Sequence, residues 1–317
     1  MKARQFFTAQ LCFLVTGWLC AAYPARAELA HMAMQAPLAG GAVDTSRIVS
    51  VGGAVTEILY QLGFADRIIA VDSTSLYPAQ AQAKPDVGYM RQLSAEPILA
   101  LEPTLVLAIE DAGPPEVLTQ LKQAGVQVIM IGDTPDASGV AEKITQIAGA
   151  VDVPEQGMAL REQVTHDLEQ VRSAIAKRSA RPRVLFLLSV GQGGAPMAAG
   201  RDTSAAGIIE LAGGINAIDA FEGFKPLSPE ALVAAAPDFI LLTNRSLALL
   251  GGKQGVRTLP EISLSSGVAE ERIIAMDALL LLGFGPRIAE AASQLAHLLH
   301  PELSPVSVMG LSGAAAR

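Results

Sequence analysis

The chain has 317 residues, half of them hydrophobic, and a formal net charge of −8. That acidic balance excludes a nucleic-acid partner, whose binding rests on phosphate neutralisation by Lys and Arg. Both cysteines, Cys12 and Cys20, lie near the start, so the rest of the chain has no thiol chemistry, disulfide or cysteine-bound metal.

Residues 1–27 read as an export signal. Lys2 and Arg4 form its charged end, and Leu11 to Ala22 is an apolar core too short to span a bilayer. Ala25-Arg26-Ala27 is an A-x-A cleavage site. Cleavage there removes Lys2, Arg4 and Arg26 and no acid, taking the net charge from −8 to −11. The expected fate is export from the cytoplasm. No later apolar run reaches the ~18 residues of a membrane span.

Residues 28–46, with Gly40 and Gly41, read as a loose leader. From Arg47 short apolar strands alternate with helices, a pattern that predicts an α/β fold with mainly parallel sheets. Residues 47–151 form an N-terminal lobe with strands at 47–52, 67–71, 104–108 and 126–131. Its helices are expected at 54–62, 114–124 and 137–150. In the linker, 152–180, the stripe Leu160, Val164, Leu168, Val171 and Ile175 predicts one long helix of about 22 residues. A C-terminal lobe, 181–300, restarts the alternation with strands at 184–188 and 272–276 and helices at 204–211 and 286–299. Residues 301–317 read as a frayed tail. A single stiff helix between two lobes restricts large closure, so ligand capture in the cleft between them should involve small adjustments.

A repeat supports the two-lobe division. A sixteen-residue segment beginning Leu93-Ser94-Ala95-Glu96 and ending at Ala108 returns at Leu227-Ser228-Pro229-Glu230 to Leu242, with six identities at an offset of 134. Each copy reads as a Ser-started helix, a proline and an apolar strand. In each, the serine can cap its helix, and the glutamate in the first turn favours the helix dipole.

No phosphate-binding, dinucleotide, nucleophile-elbow or zincin motif is present. Gly191-Gln192-Gly193-Gly194 reads as a flexible loop. The four histidines, His31, His166, His297 and His300, are too scattered to build a metal cluster or a hydrolase; His166 lies off the apolar stripe of the long helix and is expected in solvent. Beyond the signal three tyrosines remain. Tyr60 belongs to the apolar face of the first helix. Tyr77, in Asp72-Ser73-Thr74-Ser75-Leu76-Tyr77-Pro78, stands in a polar loop directly after the second strand. Ligands of open α/β sheets bind beyond the carboxyl ends of strands, so this phenol is a candidate ligand group. Tyr89, on the next loop, would line the same mouth. The plainer alternative is a turn tyrosine packed on its own loop.

These segments resemble a known family. Asp72 to Pro78, Val87-Gly88-Tyr89, Leu93 to Glu96, Ala199-Gly200-Arg201-Asp202-Thr203 and Leu211-Ala212-Gly213-Gly214-Ile215-Asn216 are together similar to the haem-binding periplasmic proteins of bacterial ABC importers, over about 47–299. The resemblance implies haem as the transported ligand and Tyr77 as the ligand to its iron. Ferric iron suits an anionic oxygen, and tyrosine is an established haem axial ligand. Arg245, after the second repeat's strand, is expected on the opposite lip as a partner of Tyr77 or of a propionate; an ordinary surface arginine is the alternative. Some relatives add a histidine, but none lies on a cleft loop here, so five-coordinate iron is expected. In the family one exposed glutamate per lobe docks on permease arginines, which implies Glu96 and Glu230 on a homodimeric permease with the binding protein a monomer.

Cobalamin or a ferric siderophore is the rival cargo, because one fold serves several ligands. The lone tryptophan lies in the signal, which removes an aromatic wall from such a pocket. A secreted hydrolase of similar fold would need a convergent acid–base pair, and the sequence offers none, so the chain reads as a binding protein and not an enzyme.

Overall fold

Short strands rich in Ile, Val and Leu that are buried on both faces are the signature of central strands in a parallel sheet. β1 (Ile48–Val51) and β3 (Leu105–Ile109) are such strands, buried at every position, with Ser50 the one polar residue between them. In the computed structural model they form the middle of a four-stranded parallel sheet of order β2-β1-β3-β4, with β2 at Ile68–Val71 and β4 at Gln127–Ile131. β4 is one of the two edges and is mostly half-buried. The structure describes residues 43–176, 178, 180–190, 196–263 and 269–303. The export signal, nearly all of the leader, the Gly191–Gly194 loop and the tail beyond 303 lie outside the described residues.

Helices α1 (Gly53–Gln61), α2 (Ala95–Leu99), α3 (Pro115–Gln123) and α4 (Ala137–Ala150) connect and cover this sheet. Then α5 (Pro154–Ile175) runs for 22 residues, started by a proline at its first position. Its buried face is Gly157, Leu160, Val164, Asp167 and Val171, and it packs on α4, where a Cβ on Gly157 would sit 2.2 Å from the Ala148 methyl. His166 stays exposed on the opposite side.

The second sheet is mixed. β10 (Ile273–Met276), β9 (Phe239–Thr243) and β5 (Arg183–Val190) are parallel, β6 (Pro196–Ala199) pairs antiparallel with β5 on one side and with β8 (Phe224–Pro226) on the other, and the two-residue β7 (Ile215–Asn216) pairs parallel with the start of β5. Short β6 and β8 carry Pro196 and Pro226, residues that suit strand ends and edges because they lack a ladder N–H. Helices α6 (Ser204–Leu211), α7 (Pro229–Ala235), α8 (Asn244–Leu249), α9 (Gly252–Arg257), α10 (Pro260–Ser263), α11 (Ala278–Leu282) and α12 (Ile288–Leu299) complete this half.

Period-two alternation divides its core. Leu185, Leu187, Ile240, Leu242 and Ile273 face a cluster confined to this lobe. Val184, Phe186, Leu241, Ile274 and Met276 face the other way and join the larger cluster that contains the whole N-terminal core, α5 and α12. One continuous apolar core therefore runs from the first sheet, past the long helix, onto one face of the second. The α/β architecture with a long connecting helix is the one the sequence pattern implied.

Candidate functional site

The loop after β2 is built around a buried carboxylate. Asp72 is 1% exposed and accepts four hydrogen bonds. Oδ1 receives the Gly52 N–H (2.8 Å) and the Ser75 hydroxyl (2.7 Å), and Oδ2 receives the Thr74 N–H (2.9 Å) and hydroxyl (2.6 Å). Ser75 continues through Thr56 to Ser50, each link 2.7 Å and each residue buried. Such a fully satisfied buried network holds a polar loop in one conformation. Gly52, at φ +109, leaves β1 in a conformation that favours glycine and starts α1 beside it.

Tyr77 stands at the end of this loop, half-buried, and its peptide to Pro78 is cis. The next segment lies alongside: Val87 N–H donates to the Val71 carbonyl and Ser73 N–H to the Gly88 carbonyl. Tyr89 is exposed, and its hydroxyl accepts from Arg91 (2.9 Å). Arg91 also pairs with Asp111 (2.6 Å), on the loop after β3. The Asp111 hydrogen bond, reinforced by Tyr89 against partial burial, holds the Arg91 guanidinium above its usual range. Loops beyond β1, β2 and β3 thus meet at one carboxyl edge of the sheet, the position that open α/β sheets use for ligands.

The cation against Tyr77 is Arg287, which the sequence reading did not single out. Its guanidinium carbon lies 3.6 Å from the Tyr77 ring centroid. Arg287 precedes α12 and grips Glu57 of α1 with two hydrogen bonds, Nε to Oε2 (2.9 Å) and Nη2 to Oε1 (2.7 Å). Glu57 is buried and Arg287 largely so, 4% and 11% exposed. Burial pushes the Glu57 carboxyl up, against the opposing pull of Arg287. Burial also works against the Arg287 charge, but the Glu57 hydrogen bonds and charge outweigh it and hold the guanidinium above its usual range.

Arg245 is exposed in the first turn of α8, whose start is fixed by the Thr243 hydroxyl accepting from Ser246 N–H. Among the described residues no hydrogen bond or ion pair joins Arg245 to Tyr77, so the arginine stacked there belongs to a different segment from the one expected. Glu96 and Glu230 are both exposed in the first turns of α2 and α7. The Glu230 carboxyl is held below its usual range by its own N–H and then by the Ser228 hydroxyl. Ser228 caps α7 through Ala231 N–H (3.1 Å), whereas Ser94 makes no cap bond. The reason is local: the third residue of α2 is Pro97, which has no N–H to offer.

One sequence signal could have found the ion pair. Glu57 is the lone charge in the apolar run Gly53 to Leu59, and all seven residues are buried. A carboxylate at such a position requires a partner. Its partner lies 230 residues away, beyond the reach of any local pattern. A cavity of about 690 Å³ lies elsewhere, between α4, α5 and α6, and Tyr77 does not line it. Its arginines are already occupied: Arg172 with Glu169, Arg178 with Glu302, Arg181 with the Gly214 carbonyl. Among the described residues no cluster of His, Cys, Asp or Glu could hold a metal ion, and no helix is long and apolar enough to cross a membrane.

Residues 48–280 match the family model described as periplasmic binding protein. The chain belongs to that family. The family is one of binding and transport proteins, not of enzymes. Among solved structures, the chain is 40% identical to the periplasmic heme-binding protein BhuT in complex with two hemes, with a TM-score of 0.77 over 81% of this chain and 99% of that one. It is 39% identical to the periplasmic heme-binding protein RhuT from Roseiflexus sp. RS-1 in apo form, with a TM-score of 0.77 over 82% and 99%. It is also 26% identical over 263 residues to the vitamin B12-binding protein of Yersinia pestis (strain Pestoides F), covering 82% of this chain and 89% of that protein. These relatives are substrate-binding proteins, and the match in fold extends to nearly the full length of the haem-binding ones.

Proposed function

We propose that the protein is a periplasmic haem-binding protein, exported by a signal cleaved near Ala27, that delivers ferric haem to an inner-membrane ABC permease. The single observation that carries the reading is Tyr77: a phenol on the carboxyl edge of a parallel sheet, on a loop fixed by Asp72, with a buried guanidinium against its ring. A phenolate is a hard anionic donor suited to Fe(III). Tyr89 and Arg91, on the neighbouring loop of the same sheet edge, offer an aromatic surface and a cation for a porphyrin face and a propionate. Arg245, exposed and unpaired among the described residues, is a second propionate or phenolate partner from the opposite lobe. Glu96 and Glu230, one per lobe and both exposed, are the docking acids for a homodimeric permease, with the binding protein acting as a monomer.

The test is a hemin titration of the mature protein, followed in the Soret and charge-transfer regions, beside Tyr77→Ala. A saturable tyrosinate-type spectrum in the wild type that collapses in the variant supports the reading. Saturable binding unaffected by the substitution moves the ligand elsewhere. Cobalamin is the second reading, favoured by the vitamin B12-binding relatives, and saturable binding of cyanocobalamin with no saturable binding of hemin would establish it instead.

A further inference from the structure

The Arg287 side chain is unusual in what holds it. A surface arginine stacked on a tyrosine can leave; this one is 11% exposed and locked by a two-point bond to a carboxylate that is itself 4% exposed. Arginine, unlike lysine, satisfies a carboxylate with parallel N–H groups while keeping its flat face free to stack on a ring. The backbone that carries it is also fixed. Phe284 holds φ +47, a conformation costly for an aromatic residue, and is 1% exposed. Its carbonyl accepts from the buried ammonium of Lys143 (3.2 Å), a residue of α4 in the other lobe. Leu279 of α11 presses on the start of α1, where a Cβ on Gly53 would sit 2.4 Å from its Cδ1 and 2.8 Å from the Thr74 carbonyl. The segment 279–287 of the C-terminal lobe is therefore pinned to α1, to α4 and to the loop that carries Tyr77.

We propose that Arg287, anchored by Glu57, is a positioning residue for Tyr77: it fixes the phenol ring against the lobe junction before the ligand arrives. Tyr77 is then held by its own loop through Asp72 and by the opposite lobe through Arg287. Preorganising a ligating group removes an ordering cost from binding. A cation over an aromatic face also interacts more strongly as the ring gains negative charge, which a phenolate does on ligating iron. For its ligand the inference rests on the haem reading; for its geometry it rests on the stack alone.

Its test has two arms. In the first, hemin is titrated into wild type, Arg287→Met, Arg287→Lys and the paired variant E57L/R287M, with thermal melts alongside. The paired variant removes both charges together and leaves no lone buried carboxylate. Expected is a loss of affinity of about tenfold, the order of a desolvated cation–π contact, with a displaced tyrosinate charge-transfer band in both folded Met variants and partial recovery in Arg287→Lys. Affinity and band unchanged in both Met variants overturn the proposal. The second arm needs no ligand and reads the Arg287 Nε–Hε resonance by NMR. A ring-current displacement kept in Tyr77→Phe and lost in Tyr77→Leu supports the stack whatever the cargo; the same resonance position in all three proteins overturns it. If the wild type binds no hemin, the haem reading fails and the second arm alone decides the positioning role.

Discussion

Lys143 and Phe284, 141 residues apart in the chain, are joined across the two lobes by a hydrogen bond from a fully buried ammonium to a main-chain carbonyl. Lys143 also pairs with Asp133 at 2.5 Å. With the Glu57–Arg287 ion pair it gives the junction two polar pins, one ionic and one from an ammonium to a carbonyl, in addition to the covalent helix α5. The small adjustments expected of the cleft thus have a second cause besides a stiff linker. Sliding the lobes apart would separate the buried Glu57 from Arg287 and take one partner from Lys143.

The pin should show an asymmetry on mutation. Lys143→Met removes the charge and leaves Asp133, about one-third exposed, to find water; the expected loss is about 2 kcal/mol in a urea midpoint experiment. Asp133→Leu leaves the ammonium buried with only a carbonyl partner, and the expected loss is larger, about 3 kcal/mol or more. Equal losses would mean that Asp133 is not the principal counter-charge.

Asp72→Asn tests the loop that presents Tyr77. An amide would turn an NH2 group toward donors that now point at a carboxylate, so at least one bond becomes a clash. The expected cost is about 2–3 kcal/mol of stability, with weaker hemin binding because the Tyr77 loop loses its single conformation. A variant that melts early yet binds hemin normally would separate the network from ligand presentation.

Much of this architecture was legible in the sequence. Short apolar runs and helical spacing located the strands and helices of the first lobe and the 22-residue helix, because the strands are almost wholly apolar and the long helix carries an apolar stripe at helical spacing. The loop with Tyr77 was readable from a polar run at a strand end. What was not readable is non-local. Glu57 meets Arg287 and Lys143 meets Phe284 only after the chain returns to its start, and no spacing rule spans that distance. The antiparallel β6 and β8 were missed because they are short and carry prolines. The Arg287 stack on Tyr77 is equally non-local, since it comes from the turn before the last helix.

Two carboxylates should give opposite slopes of stability against pH. Asp136 caps α4, and its hydrogen bonds from the Ser138 hydroxyl and then the Gly139 N–H hold its carboxyl below the ordinary 3.8. Its contribution is present above that value and lost as pH falls through the native one. Asp136→Ala should cost about 1 kcal/mol at pH 7 and little near pH 2, with Asp136→Asn keeping most of the cap. Glu57 runs the other way. Burial raises its carboxyl above the ordinary 4.5, so the native state holds its proton longer than the unfolded chain does. Its contribution is complete below 4.5 and declines as pH rises through the native value. Denaturant midpoints from pH 2 to 7 for wild type, Asp136→Ala and Glu57→Gln should show the first slope vanish in one variant and the second in the other.

The two copies of the repeat provide a controlled comparison of capping. Ser94 and Ser228 occupy the same position before the same glutamate, yet only Ser228 accepts a cap bond, from Ala231 N–H at 3.1 Å. The difference traces to one residue, Pro97 in place of Ala231, because proline supplies no N–H at the third helical position. Ser228→Ala should therefore destabilise by about 1 kcal/mol, while Ser94→Ala should be nearly silent. Pro97→Ala restores the missing donor, and in that background Ser94→Ala should acquire a cost it lacks in the wild type. Urea midpoints of the four proteins measure this coupling directly as a double-mutant cycle. A Ser94→Ala cost independent of residue 97 would show that the serine acts through something other than the cap. If Glu96 and Glu230 are docking acids, as proposed above, the same variants also report whether cap strength affects docking: Ser228→Ala should loosen the Glu230 turn and slow hemin transfer to reconstituted transporter, and Ser94→Ala should not.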